Sequence, residues 1–308
     1  MSFKLNNILK QALFVAPVLV MILFTCCEKR PEDELFDLDE NFEFYQWENH
    51  SGPKIFESPE NFTLPASEIH QFTISSTDPK TLNQVKIKAA LFGDPGSLAQ
   101  DSLIVFCHGG QYHMDYYYEQ IKTLYQCGSA GKYNILLFDY QGLGLSNGEI
   151  SIAAILKDVE AIGMWLTDNA MPTEKIIIYG HGLGAVAACH LVGGFDANFN
   201  SPPNLILENP VAKMDYLLSN ATQINLPSSF VNQLNFDNIA LIKNYKGSLL
   251  MILSDQDEKY DKINNGEEIY KAHSGTNKEL QVISAQHTNL VPKIGFSEYC
   301  TLIDNFID

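Results

Sequence analysis

The residues of this 308-residue chain whose types and spacing could do chemistry begin with a glycine-rich turn. Gly180-His181-Gly182-Leu183-Gly184 follows the apolar run Ile176-Ile177-Ile178-Tyr179 and precedes a helical pattern. In a G-x-S-x-G turn of this kind, strand and helix approach closely and the central serine exposes its hydroxyl for attack on a substrate. Here the outer glycines are in place, but Gly182 occupies the centre. Glycine adopts the required backbone with little strain, yet it has no oxygen that could act as a nucleophile.

A second glycine-rich segment follows the apolar run Ile135–Phe138. From Phe138 to Glu149 it reads F-D-Y-Q-G-L-G-L-S-N-G-E. This closely resembles the F-D-Y-x-G-x-G-x-S-x-G segment of the serine-aminopeptidase-like and monoglyceride-lipase-like branch of the α/β-hydrolases, and the resemblance runs from about Ile69 to the C-terminus. It implies the α/β-hydrolase fold and hydrolysis of esters, thioesters or amides through an acyl-serine. It implies no particular substrate, because this branch hosts many.

The resemblance also assigns an acid and a histidine, which follow the nucleophile along the chain in this family. The acid should come after the apolar run Leu249–Leu253, where Asp257 matches the family pattern and Asp255 is the alternative. The histidine should come after the last strand, where the chain has His287. In such a site the histidine takes the proton of the serine and the carboxylate orients the imidazole.

The loop His108-Gly109-Gly110 ends another apolar run and matches the loop that supplies one oxyanion donor in this fold. We expect the backbone N–H groups of Gly110 and Leu183 to form that oxyanion hole. A relocated nucleophile is disfavoured, because the nearest serines, Ser146 and Ser254, lie on neighbouring loops in the family pattern rather than at the sharp turn.

The chain departs from the family pattern at the acid loop as well as at Gly182. The late strand usually ends in His-Gly and here ends in Leu253-Ser254. The proline that usually follows the acid is absent, and Lys259-Tyr260-Asp261 stands in its place. Relaxed selection for catalysis and ordinary divergence both account for these differences.

The order of the remaining patterns predicts an α/β fold with a mostly parallel sheet of about eight strands flanked by helices. Ile69–Ile74 and Val85–Phe92 alternate apolar and polar residues and predict a leading hairpin with one face in water. More continuously apolar runs predict strands covered on both faces: Leu103–Cys107, Ile135–Phe138, Ile176–Tyr179, Leu205–Leu207, Leu249–Leu253 and Leu280–Ile283. Helical periodicity marks the windows Tyr116–Gln126, Ile152–Asn169, Leu183–Val192, Gly266–His273 and Glu298–Ile307.

The N-terminus resembles a bacterial lipoprotein signal peptide over residues 1–26. Its apolar stretch, Ala12–Phe24, is shorter than the about 20 residues of a membrane span. Leu23 and Thr25 form a lipobox-like pattern before Cys26, the expected lipidation site, with Cys27 as the alternative. An uncleaved N-terminal membrane anchor is the other hypothesis. Both place the bulk of the chain outside the cytoplasm, lipid-anchored to a bacterial membrane in the first case.

Three parts follow the signal: an acidic, solvated tether over residues 27–48, one globular domain over 49–308, and a lid-like insertion at about 210–247 within that domain. The net charge of -17, from 37 acidic and 20 basic residues, opposes binding to nucleic acid or to anionic lipid surfaces. Contact with the membrane is therefore expected through the lipid anchor only.

The other cysteines show no paired spacing, so we expect no zinc site, redox motif or cofactor. Cys107 and Cys189 fall in apolar patterns that predict buried free thiols. A disulfide between Cys127 and Cys300 is the alternative that an oxidising compartment leaves open.

Three functional hypotheses follow from the missing hydroxyl. In the favoured one, the chain is a binding protein whose old pocket holds a small acyl or apolar ligand, or whose surface holds a protein partner. In the second, His287 oriented by Asp257 activates a water molecule beside Gly182. In the third, Gly182 is an engineered or strain-specific loss in an otherwise ordinary serine hydrolase.

Overall fold

A central sheet organises the computed structural model, which describes residues 35–36, 42–49, 62–128, 133–193, 202–216 and 236–308. Within these residues the sheet has eight strands in the order β1-β2-β4-β3-β5-β6-β7-β8. The strands are β1 Ile69–Thr77, β2 Gln84–Phe92, β3 Ser102–Cys107, β4 Tyr133–Phe138, β5 Ile176–His181, β6 Asn204–Glu208, β7 Ser248–Ser254 and β8 Lys278–Ile283. Strand β2 runs antiparallel to both neighbours and β3 to β8 are parallel, so the predicted fold class is confirmed.

Helices cover both faces of the sheet, which is why its central strands are continuously apolar. In chain order they are α1 Tyr118–Gln126, α2 Ile152–Asp168, α3 Ala185–Val192, α4 Asn238–Ile242, α5 Glu268–Ala272, α6 Leu290–Ile294 and α7 Phe296–Ile307. Leu103 and Val105 of β3 point into the core beneath α2 to α5, whereas Ile104 and Phe106 point into the core beneath α1, α6 and α7. Helix α2 begins where the sequence predicts, because the Ser151 hydroxyl accepts a hydrogen bond from the Ala154 N–H at 3.0 Å.

Two strands differ from the predicted burial, for reasons that depend on their place in the sheet. Leu280–Ile283 was expected to be covered on both faces, and this is wrong: β8 is an edge strand of the described sheet, and Val282 is 44% exposed. Conversely, the predicted water-facing side of β2 is absent over Ala89–Phe92. Ala89 and Leu91 pack into one core cluster, and Ala90 and Phe92 pack into the other, so both faces are buried.

Part of the predicted tether packs against the domain. Phe36 and Tyr45 are buried, and the Tyr45 hydroxyl donates to Asp139 Oδ2 at 2.6 Å. Glu48 pairs with Lys122 at 3.0 Å. The expectation of a solvated segment over residues 27–48 is therefore wrong for these described residues. Their aromatic side chains stabilise the packed state because packing removes apolar surface from water.

The predicted signal peptide and Cys26 lie outside the described residues, as do residues 217–235 of the predicted insertion. The two flanks of that insertion meet at the isolated bridge Lys213↔Asp237, where the side chains pair at 3.2 Å. Within the residues that the structure describes, no helix has the length and apolar composition of a membrane span.

A disulfide joins Cys127, directly after α1, to Cys300 in α7. The disulfide between Cys127 and Cys300, which the sequence left open, is therefore present in the structure. Cys107 and Cys189 are buried free thiols, as predicted, and burial raises the pKa of both.

Candidate active site

The glycine turn joins β5 to α3 through a single 3-10 turn, Gly182–Gly184. Gly182 has φ +56, the left-handed conformation of a strained strand-to-helix turn. Gly184 is required by close packing, because a Cβ there would lie 2.0 Å from the Cys107 carbonyl oxygen of β3. The backbone of a nucleophile-bearing turn is therefore present without the nucleophile.

His287 and Asp257 meet beside this turn. A hydrogen bond of 2.8 Å joins His287 Nδ1 to Asp257 Oδ2, and the two side chains are 11% and 2% exposed. The other oxygen of Asp257 accepts from the N–H groups of Lys259 at 2.8 Å and Tyr260 at 2.9 Å. The carboxylate is thus fixed on one side by its own loop and orients the imidazole on the other. Asp255, the alternative acid, is exposed to solvent.

The space where a serine side chain would stand is narrow. A Cβ built on Gly182 would lie 3.3 Å from His287 Nε2 and 3.3 Å from Tyr260 Cε2. The Tyr260 ring also packs edge-on to the His287 ring, with 5.0 Å between centroids. The imidazole therefore has its outer nitrogen next to the bare α-carbon, and Tyr260 occupies much of the remaining room.

The two residues predicted as oxyanion donors lie side by side. A Cβ on Gly110 would be 2.8 Å from Leu183 Cδ2, which places the loop after β3 against the turn after β5. Both residues are buried. The structure thus brings Gly110, Leu183, Gly182, His287 and Asp257 together at the carboxyl ends of neighbouring parallel strands.

Asn209 was not singled out from the sequence, yet it connects the loops of the acid and the histidine. Its side-chain nitrogen donates to Ser254 Oγ at 2.9 Å and to the His287 carbonyl at 3.0 Å. Its side-chain oxygen accepts from the Ser254 N–H at 2.7 Å. Asn209 has φ +43, which Asn tolerates better than most residues. The Asn-Pro pair after a strand signals a turn but not these contacts.

The alternative nucleophiles Ser146 and Ser254 use their hydroxyls elsewhere. Ser146 Oγ donates to the Asp139 carbonyl at 2.9 Å, and Ser254 Oγ donates to the Gln286 carbonyl at 3.0 Å. Both hydroxyls hold loop backbone in place, so neither replaces the missing oxygen at Gly182.

A buried polar cluster lies beneath the turn. Glu208, at the end of β6, accepts hydrogen bonds from the Tyr179 hydroxyl and from Gln120 Nε2, the latter at 2.6 Å. Burial, and to a smaller extent the nearby charge of Asp257, raises the pKa of Glu208 to about 7. Burial also lowers the pKa of His181 well below its ordinary value, with His287 and Lys259 acting in the same direction. His181 is therefore neutral beside the dyad.

Several solved structures share this architecture. The esterase Pf2001 of Pyrococcus furiosus has a TM-score of 0.58 at 20% identity, covering 84% of this chain and 98% of that chain. Est1E of Butyrivibrio proteoclasticus, solved with ferulic acid, has a TM-score of 0.59 at 17% identity, covering 77% of this chain and 97% of that chain. At these identities the likeness shows the fold.

Curated relatives match part of the chain. Lysophosphatidylserine lipase ABHD12 of Danio rerio is 28% identical over 153 residues, 49% of this chain and 39% of that protein. The α/β-hydrolase domain-containing protein aho-3 of Caenorhabditis elegans is 25% identical over 190 residues, which are 61% of this chain and 52% of that protein. The chain thus spans about half or less of these relatives' lengths.

The family model of serine aminopeptidase S33 matches residues 99–273, more than half of the chain. The matched range contains the oxyanion loop, the glycine turn and Asp257. The chain belongs to the serine aminopeptidase S33 family and has the α/β-hydrolase fold.

Proposed function

We propose that this chain is a pseudo-hydrolase: a non-covalent binding protein that holds a small acyl or apolar ligand at the site of a former serine hydrolase. The observation that carries the proposal is the bare α-carbon of Gly182 at φ +56, with His287 Nε2 only 3.3 Å from the place that a Cβ would take. The route through an acyl-serine has no starting atom here.

The size of the loss favours binding over ordinary hydrolysis. Removing the nucleophile of a serine protease lowers turnover by about 10⁶, and oxyanion stabilisation with binding leaves about 10³ to 10⁴ over the uncatalysed rate. The turnover rate that remains is far below that of a typical hydrolase. The groups around Gly182 can still recognise a carbonyl compound, because backbone N–H donors bind a carbonyl oxygen whether or not it is attacked.

The chemistry of the relatives suggests the kind of ligand. Among the similar proteins, one is named for lysophosphatidylserine and one structure is a monoacylglycerol lipase of Paleococcus ferrophilus. Both names describe esters with a single acyl chain. We propose that the ligand of this chain is a monoacyl ester or a free acyl chain, with its carbonyl oxygen near Gly110 and Leu183.

A second function has one observation in its favour. The hydrogen bond of 2.8 Å between His287 and Asp257 keeps a general base oriented, so a water molecule beside Gly182 could be activated for slow hydrolysis of esters, thioesters or amides. The crowding by Tyr260 weighs against it, because the room beside the imidazole is small.

Export and lipid anchoring are part of the same proposal. The lipoprotein-like N-terminus supports them, and so does the disulfide, because such bonds persist mainly in oxidising compartments. The net charge of -17 fits a domain that stays in solution next to a membrane rather than lying on anionic lipid.

Binding and hydrolysis can be separated by one set of variants. The full chain, His287→Ala and Gly182→Ala would be titrated with 11-(dansylamino)undecanoic acid and assayed with short acyl esters and thioesters. His190→Ala, in the last turn of α3 beside Glu160, is the matched histidine control. The proposal expects saturable binding by the wild type and no turnover in any form. Turnover that disappears in His287→Ala alone would establish the second function, and absence of binding would refute the first.

A further inference from the structure

The chain's own N-terminal segment lies on the oxyanion side of the site. A Cβ built on Gly110 would be 2.5 Å from the Leu35 carbonyl oxygen and 3.4 Å from Phe36 Cδ1. Phe36 is only 5% exposed and belongs to the same core cluster as Leu183. Leu35 and Phe36 thus lie against Gly110, and Phe36 shares a core cluster with Leu183.

Neighbouring residues of the segment are fastened to the domain by specific bonds. The Tyr45 hydroxyl donates to Asp139 Oδ2 at 2.6 Å and accepts from the Leu145 N–H at 3.1 Å. The Gln46 N–H donates to Asp115 Oδ2 at 3.0 Å. Because Leu35 and Phe36 belong to the same chain as these bonded residues, their contact has the high effective concentration of an intramolecular ligand.

We propose that the oxyanion side of this site is a binding site for an apolar dipeptide, and that its resident ligand is Leu35-Phe36 of the same chain. The dipeptide occupies the place that the acyl ligand needs, so the two compete. The competition rests on the proposed function; the occupancy of the site by the dipeptide does not.

The physical basis is ordinary burial of apolar surface. Phe36 leaves water when it packs on this surface, and a ligand that takes its place must first return the ring to water. The apparent affinity for the ligand is reduced by the fraction of molecules in which the segment is docked. Weakening the docked state therefore raises the apparent affinity.

Amide hydrogen exchange tests the contact without any ligand. In the full chain, Phe36→Ser should accelerate exchange in peptides that contain Gly110 and Leu183 by about tenfold or more, because the covering side chain is gone. Phe44→Ser is the matched control: Phe44 lies in the same segment but is 60% exposed. Phe36→Leu keeps an apolar side chain and should stay close to the wild type. Equal exchange in Phe36→Ser and Phe44→Ser would overturn the proposal.

Titration with 11-(dansylamino)undecanoic acid tests the competition. Phe36→Ser should lower the Kd of this probe by about tenfold or more, the range expected when one buried aromatic side chain is removed from a competitor. Phe44→Ser should leave the Kd unchanged. An unchanged Kd in Phe36→Ser, alongside accelerated exchange, would overturn the competition. Absence of probe binding in every form refutes the proposed function, and the exchange result then decides the dipeptide site alone.

Discussion

Gly182 differs from serine by one hydroxymethyl group, and His287 and Tyr260 border the space that this group would fill. A Cβ added to Gly182 would lie 3.3 Å from both His287 Nε2 and Tyr260 Cε2, which is tighter than ordinary van der Waals contact. Tyr260 also stands in the stretch after the acid where the family usually has proline. The two departures from the family pattern, glycine at position 182 and tyrosine at position 260, are thus next to each other in the site.

Asn209 should be important for stability because its amide satisfies buried groups of two loops. Asn209→Ala leaves the Ser254 N–H and the His287 carbonyl without this partner, and an unsatisfied buried group costs about 1 to 3 kcal/mol. We expect the free energy of unfolding in urea to fall by about 3 kcal/mol.

The control for this variant is Asn277→Ala. Asn277 also donates to a serine, Ser248 at 2.7 Å, but it is exposed. Its change should stay within about 0.5 kcal/mol. A loss for Asn209→Ala as small as that of the control would contradict the assigned role.

Glu208 should make the protein less stable as the pH rises. Its pKa is about 7 in the folded chain against an ordinary 4.5, mainly because of burial. Between these values the folded chain holds a proton that the unfolded chain releases, so the free energy of unfolding decreases as pH rises from about 4.5 to about 7. The decrease is about 3 kcal/mol for a shift of this size.

Urea unfolding at pH 5 and pH 8 measures this effect. Glu208→Gln cannot release a proton, so the difference between the two pH values should shrink by about 2 to 3 kcal/mol. Some difference remains, because burial also raises the pKa of Asp158 to about 7. Glu279→Gln, an exposed acid on β8, is the control. The prediction fails if Glu208→Gln keeps the pH dependence of the wild type.

At the scale of elements, the site forms because parallel strands end at the same edge of the sheet. Gly110, Gly182, Asp257 and His287 follow β3, β5, β7 and β8, and each of these strands has six or seven residues. The helices that cover the sheet hold these ends in register, and one helix pair carries a covalent link as well, between Cys127 at the end of α1 and Cys300 in α7.

The disulfide should contribute strongly to stability, because it closes a long loop. The two cysteines are 173 residues apart, and in the chain-entropy description such a crosslink stabilises the fold by up to about 5 kcal/mol. Cys300→Ser should lower the free energy of unfolding by about 2 to 5 kcal/mol, measured in urea. A reductant should have the same effect on the wild type and none on Cys300→Ser. Equal stability of the reduced and oxidised wild type would contradict this.

The elements and the site residues differ in how far they follow from sequence. Runs such as Ile176–Tyr179 predict strands because both faces are apolar, and the family pattern points to His287 and Asp257 by their place after strands. The exposure of β8 and the burial of β2 depend on neighbours that no local pattern encodes. The contacts of Asn209 and the packing of Phe36 arise from tertiary structure. Composition alone therefore predicted a solvated segment where Phe36 is in fact buried.

At the scale of the whole molecule, the N-terminal region has two proposed roles. Its first residues direct export and lipid attachment, and Leu35-Phe36 further along covers the oxyanion side of the site. The chain as a whole carries a net charge of -17, which opposes binding to anionic lipid surfaces.

Lipid attachment should depend on a single cysteine. Cys26→Ser should abolish incorporation of radiolabelled palmitate in a bacterial host and release the chain from the membrane fraction, because the thiol is the acceptor. Cys27→Ser is the matched control and should be labelled normally. Labelling of Cys26→Ser together with loss in Cys27→Ser would move the site to the neighbouring residue, contrary to the proposal.

The central claim is that position 182 offers no atom for covalent chemistry, and intact mass after treatment with a fluorophosphonate tests it most directly. The native chain should keep its mass. Gly182→Ser should gain the mass of one adduct, after Tyr260 or His287 shifts by a few tenths of an ångström to make room for the side chain. The double variant Gly182→Ser, His287→Ala should gain no adduct, because the serine then lacks its general base. A stoichiometric adduct on the native chain would contradict the account.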